Sequence, residues 1–253
     1  MIPIRDDQPC STFPYVNYVI IAANVAVFAY ELSVGGHDRG ALFDLIKQYG
    51  TIPHNFELAF SGGYAQLTIP GVFLTILTSM FMHASVLHLL GNVWVLWIFG
   101  DNIEDHLGHF VYPIFYLVCG VLASMAYIYA NPSSEIPSVG ASGAIAGVMG
   151  AFLLRYPQAR VQLLVILAWW MANVVWVSAW VVLAIWFGTQ FLGVIWTQVL
   201  YTHAHRNFGG IAYWAHVGGF VTGMVLIKLI PGHTQYSHGG WLTKEGKEVL
   251  PKQ

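Results

Sequence analysis

The chain has 253 residues, of which 57% are hydrophobic and 9% charged, against about 45–50% and about 25% in an average soluble domain. So few charges cannot cover the surface of a soluble fold, so lipid must be the solvent for most of the chain. A net charge of −2 leaves no basic footprint and argues against nucleic acid as a partner.

The N-terminus, "MIPIRDDQPCSTFPYVNY", has no basic region, and no cleavage site follows the first apolar run. That run, about 17–32, is expected to be a retained first span rather than a signal peptide. Cys10 and Cys119 lie far apart in unlike contexts, which gives no disulfide framework. A first outer loop of roughly 50 residues follows, too long for a plain connection. It contains "AQLTIPGVFLTILTSMF", expected to lie in the interface or to insert partly. The second span, about 85–100, is opened by "FMHASVLHLLGN", which places His83, His88 and Asn92 near its start. A third is expected at about 109–130. The fourth, about 140–156, begins "GASGAIAG" and carries Ser142. It is short, about 24 Å of helix from Gly140 to Arg155, against a hydrocarbon core of about 30 Å. Ser142 is then recessed below the surface, in a site that water can reach only through a cavity. Residues 161–200 are too long for one helix. Either 161–176 is an interfacial or re-entrant element before a fifth span at 177–200, or two spans are present. The last span, about 209–230, reads "GGIAYWAHVGGFVTGMVLI" and carries His216. Residues 1–230 form the membrane domain and 231–253 a polar tail.

Charge and parity both favour six spans with cytoplasmic termini. That arrangement puts Arg5, Arg155, Arg160, Lys228, Lys244, Lys247 and Lys252 inside, and Arg39, Lys47 and Arg206 outside. The second, fourth and sixth spans then run in the same direction. His88, Asn92, Ser142 and His216 all fall in the outer half of the membrane at similar depth. A seventh span would send His216 to the other leaflet.

Polar side chains inside spans are costly and are candidates for function. A Ser–His hydrogen bond needs close helices. Gly143 with Gly147, and Gly219 with Gly223, are small-xxx-small pairs just after the serine and the histidine. Taken alone, both pairs read as ordinary helix packing. His88 and Asn92, four apart, share a helix face and can both donate hydrogen bonds, as an oxyanion hole requires. Taken alone, that pair reads equally well as a tie between helices.

"GASGAIAG" around Ser142, "HLLGN" from His88 to Asn92 and "AHVGGFVTG" around His216 together resemble the signatures of the rhomboid intramembrane serine proteases, as do the flanking "TSMFMH" and "WIFGDNIED". The similarity covers roughly residues 75–230, in order and spacing. It implies an all-α, polytopic, six-helix bundle with a Ser–His dyad. Ser142 is the implied nucleophile and His216 the implied base. The Ser142 N–H, His88 and Asn92 make the implied oxyanion hole. The substrates implied are transmembrane segments of other proteins, cut near the outer leaflet with no metal or cofactor. His83 and Gly140 belong to the implied surroundings of the site, His83 as a structural or water-retaining residue. Some members carry a tyrosine four residues after the serine, packed on the histidine. Here that position is Ala146, so another residue must hold the His216 ring. No acid of the Asp type lies in these spans, and the expectation is that packing alone orients the imidazole.

Two rival readings are a catalytically silent rhomboid-like protein that binds membrane clients, and a transporter suggested by 11 histidines. The first is disfavoured by the intact Ser142 and His216. The second is disfavoured because most of the histidines fall in loops or the tail and show no H-E-x-x-H pairing. The chain is expected in a bacterial-type plasma membrane.

Overall fold

The computed structural model describes residues 2–62, 66–168, 171–204, 212–232, 234–237, 240–243 and 248–249. Arg206, residues 209–211 of the expected sixth span, and Lys244, Lys247 and Lys252 lie outside the described residues.

Among the described residues, four helices are long and apolar enough to cross a membrane. They are α1 (Tyr15–His37), α5 (Val86–Leu107), α6 (Val111–Ala130) and the part of α8 (Ala179–Ala204) up to Thr197. Two shorter helices, α7 (Ser142–Arg155) and α9 (Tyr213–Leu229), pack closely on each other. α7 is about 21 Å long and is buried from Gly143 to Phe152. It is the central post of the bundle, with α5, α6, α8 and α9 around it. The link between α1 and α5 is itself helical: α2 (Arg39–Tyr49), α3 (Pro53–Ser61) and α4 (Ile69–Ser79). The apolar stretch noted in that loop thus forms α4, capped by Thr68, whose hydroxyl accepts from the Gly71 N–H at 3.2 Å.

The opposite end of the bundle from Ser142 is tied by buried carboxylates. α1 starts after Pro14 with no side-chain cap of its own. Glu104, 0% exposed on α5, supplies it instead, accepting from the N–H groups of Val16 at 3.1 Å and Asn17 at 2.7 Å. Asp105 accepts from the backbone and hydroxyls of Ser11 and Thr12. The stretch "WIFGDNIED" therefore anchors the N-terminal segment to α5.

The all-α expectation needs correction: the protein is mostly helical but, among the described residues, carries two small antiparallel sheets. Residues 161–176, left open between an interfacial element and an extra span, form a β-hairpin of β2 (Arg160–Ala168) and β3 (Met171–Ser178). β1 (Ile2–Asp6) adds to β2 with Ile2 opposite Leu164 and Arg5 opposite Gln162. The residues are rich in Val, Leu and Ile, and the strand alternates. Val161 and Leu163 are buried in the bundle core, and Ile166 on the other face is exposed. Among the described residues, α8 is the helix between the hairpin and α9, and 161–168 and 171–176 are strand rather than a further helix. In the tail, β4 (Thr234–Ser237), β5 (Gly240–Thr243) and β6 (Glu248–Val249) make the second sheet.

Candidate active site

Ser142 and His216, 74 residues apart in sequence, meet: His216 Nε2 lies 2.7 Å from Ser142 Oγ. The contact follows from how α7 and α9 pack. A Cβ added at Gly219 would overlap the Gly143 carbonyl oxygen, and one at Gly223 would overlap that of Gly147. The two helices touch backbone to backbone along these positions, one of them a turn below His216. Alanines support the same closeness from α6, where Ala123 packs on Gly143.

Ser142 is the first residue of α7, so the N–H groups of its first turn have no partner within the helix. The helix dipole adds a positive end there. The chain reaches Ser142 through Gly140, whose φ of +134° suits glycine alone. A Cβ at Gly140 would also press on the His88 ring, 2.7 Å from its Cε1. The approach to Gly140 is pinned from outside the helix. Its N–H donates to the Ser79 carbonyl at 2.9 Å, and Thr51 and Ser138 exchange both backbone hydrogen bonds. The α1–α5 link thus holds the loop that delivers the serine.

α5 is capped by Ser85, whose hydroxyl accepts from the His88 N–H at 3.2 Å. That cap puts His88 and Asn92 on the first two turns, beside Ser142. Ser142, His216, His88, Asn92, Gly140 and Gly143 all line one cavity of about 1040 Å³. His83 stands behind them, 2% exposed. Its Nδ1 lies 3.2 Å from the Phe81 carbonyl, which can only accept, so Nδ1 carries the proton. Nε2 is then free to accept from Asn92 Nδ2 at 2.9 Å. The second N–H of that amide is left for the cavity. Glu31 on α1 holds the same loop, its carboxylate accepting from the His83 N–H at 3.1 Å.

One expectation fails. His216 is not oriented by packing alone: its Nδ1 lies 2.8 Å from Oε1 of Gln190, on α8. Trp186, one turn earlier on α8, stacks obliquely at 5.8 Å between ring centroids. Gln190 is not an acid, yet its amide carbonyl can accept the same N–H. The available signal was a polar residue inside an apolar helix.

This constellation can activate a hydroxyl and hold negative charge beside it, which is the equipment of acyl transfer. The rhomboid-domain family model matches residues 70–232, well over half of the chain. The chain belongs to the rhomboid family. It is a multi-pass integral membrane protein. Among curated relatives, presenilin-associated rhomboid-like protein A, mitochondrial, of Danio rerio is 33% identical over 95 residues, covering 37% of this chain and 25% of the relative. Rhomboid protease GluP of Bacillus subtilis is 29% identical over 140 residues, covering 55% of this chain and 24% of the relative. Rhomboid protein 1, mitochondrial, of Saccharomyces cerevisiae is 27% identical over 162 residues, covering 60% and 40%. The matched region is thus a quarter to two-fifths of these rhomboid relatives' lengths.

Proposed function

We propose that this rhomboid is an intramembrane serine endopeptidase that cleaves transmembrane segments of other membrane proteins near the outer leaflet. The observation that carries the reading is the 2.7 Å contact between Ser142 Oγ and His216 Nε2 inside a cavity that also presents His88 and Asn92. Neutral His216 takes the Ser142 proton as Oγ attacks a peptide carbonyl carbon. The oxygen of that carbonyl becomes an oxyanion, received by the Ser142 N–H, His88 and the free N–H of Asn92. His216 then gives its proton to the leaving amine, and the acyl-enzyme forms. A water, deprotonated by the same histidine, releases the acid. The chemistry calls on no metal or cofactor.

The same reading places both termini in the cytoplasm and the cavity in the outer half of a bacterial-type plasma membrane. Ser142 then lies near the level at which a substrate helix would leave the bilayer. The helix would have to unwind locally, because a helical carbonyl is already hydrogen-bonded and shielded.

Replacing Ser142 by alanine tests the assignment. Alanine suits a tight helix contact, so Ser142→Ala is expected to insert and fold normally yet lose proteolysis of a reconstituted transmembrane substrate and labelling by a fluorophosphonate probe. Wild-type cleavage by the purified variant would overturn the proposal.

A further inference from the structure

We propose that Gln190 completes the site as a positioning residue, so that the machinery is Ser142–His216–Gln190 rather than a dyad. The inference rests on the protease reading and adds to it the group that decides which nitrogen of His216 is the base.

The hydrogen bonds around Gln190 leave one orientation for its amide. The Trp186 carbonyl can only accept, and Gln190 Nε2 lies 3.3 Å from it. The same Nε2 lies 3.1 Å from Thr189 Oγ1, whose hydroxyl is itself committed to the Trp186 carbonyl at 2.6 Å. Both amide protons are thus spent on α8, and Oε1 is the atom turned to the imidazole at 2.8 Å. An oxygen there requires Nδ1 to carry the proton. Nε2 is then the unprotonated nitrogen, and it is the one 2.7 Å from Ser142 Oγ. In the other tautomer Nε2–H would face the serine and could not take its proton. Gln190 is 9% exposed and His216 equally so, so water has little room to replace the contact.

When His216 takes the serine proton, Nδ1–H stays on the ring and keeps donating to Oε1. No proton passes to the amide, whose carbonyl dipole faces the imidazolium. The contact depends on α8 lying close to α9. Gly193, one turn beyond Gln190, is where that closeness is made, since a Cβ there would overlap the Tyr213 ring.

The test compares Gln190→Met, which keeps length but loses the acceptor, with Gln190→Glu, which keeps a carbonyl oxygen. Full-length protein in detergent is read three ways: the fluorophosphonate labelling rate of Ser142, kcat and KM on a fluorogenic transmembrane substrate, and the 15N histidine spectrum. The His216 signals are identified by their loss in His216→Ala. Gln190→Met should slow labelling and lower kcat about 10- to 100-fold with KM within about twofold, one to two hydrogen bonds' worth. Gln190→Glu should recover most of it. Gln190→Met added to His216→Ala should cost nothing further. The spectrum should show a bare Nε2 in wild type and a protonated Nε2 fraction in Gln190→Met. Wild-type labelling and an unchanged tautomer in Gln190→Met overturn the proposal. So do losses in both variants with the tautomer unchanged, which would make Gln190 packing only. If wild type itself fails to label, the protease reading falls, while the tautomer comparison still decides the role of Gln190.

Discussion

Gly219→Ala puts the packing of α7 against α9 to the test one turn from the reacting atoms. The added Cβ would overlap the Gly143 carbonyl oxygen, the residue next to Ser142. Restoring a separation near 3.5 Å between non-bonded atoms requires the helices to part by about 1 Å or more. The Ser142–His216 contact is 2.7 Å, so such a shift carries it beyond hydrogen-bonding range. A displacement of about 1 Å typically costs about 100-fold in rate. The expected result is a fall of that order in kcat with helix content by circular dichroism unchanged. Gly188→Ala is the matched control, because nothing lies within 4 Å of its added Cβ. It should be silent in activity, and alanine should favour the helix by up to about 1 kcal/mol. A folded Gly219→Ala protein cleaving at the wild-type rate would refute the claim that glycine packing sets the Ser–His distance.

Asn92→Ala should retain weak cleavage, about 10²–10³ below wild type, as removal of one oxyanion donor usually does. A wild-type rate in a detergent assay would remove Asn92 from the site. His83→Ala frees the Asn92 amide to rotate, so it should lower kcat by a smaller factor than Asn92→Ala and add nothing to it in the double variant; full additivity would assign His83 to folding alone. For topology, a cysteine at Ser134 should react with an impermeant thiol reagent applied from outside the cell, and one at Tyr236 should not. The reverse pattern would invert the proposed orientation.

The parts of the fold readable from sequence are those where one physical signal dominates. Uninterrupted apolar runs account for α1, α5, α6 and the start of α8, because length and hydropathy suffice for a helix in lipid. The 161–176 segment was ambiguous for the opposite reason. Its apolar residues fit a buried strand or a helix equally well, and a short apolar run cannot be assigned by periodicity alone. It is a hairpin because β2 pairs with β3, from Arg160 opposite Ser178 inward, and β1, far away in the chain, adds the pairing of Ile2 with Leu164 and of Asp6 with Val161. The helices α2, α3 and α4 were hidden inside what reads as one long loop. Asp38 and Thr68 cap α2 and α4 in the structure, but short helices gain most of their stability from packing that sequence does not display.

The site divides along the same line. Ser142, His216, His88 and Asn92 stood out because each is a polar residue in an apolar span, flanked by glycines or a helix start. Gln190 has the same property, but nothing in its sequence neighbourhood marks it as facing His216. Its role appears only when α8 is set against α9, where Gly193 lets the helices close at Tyr213. The position four after the serine is Ala146, 0% exposed and too small to steady a ring. The steadying is done instead from α8, by Trp186 beside the imidazole and Gln190 at Nδ1. Ser142 and His216 sit on two helices locked by backbone contact, while the orienting group sits on a third helix, α8, which packs chiefly on α9. The proposed nucleophile and base are therefore held by α7 and α9. On the proposed mechanism the tautomer of His216 depends on this third helix, and a displacement of α8 from α9 is expected to unset it without parting the serine from the histidine.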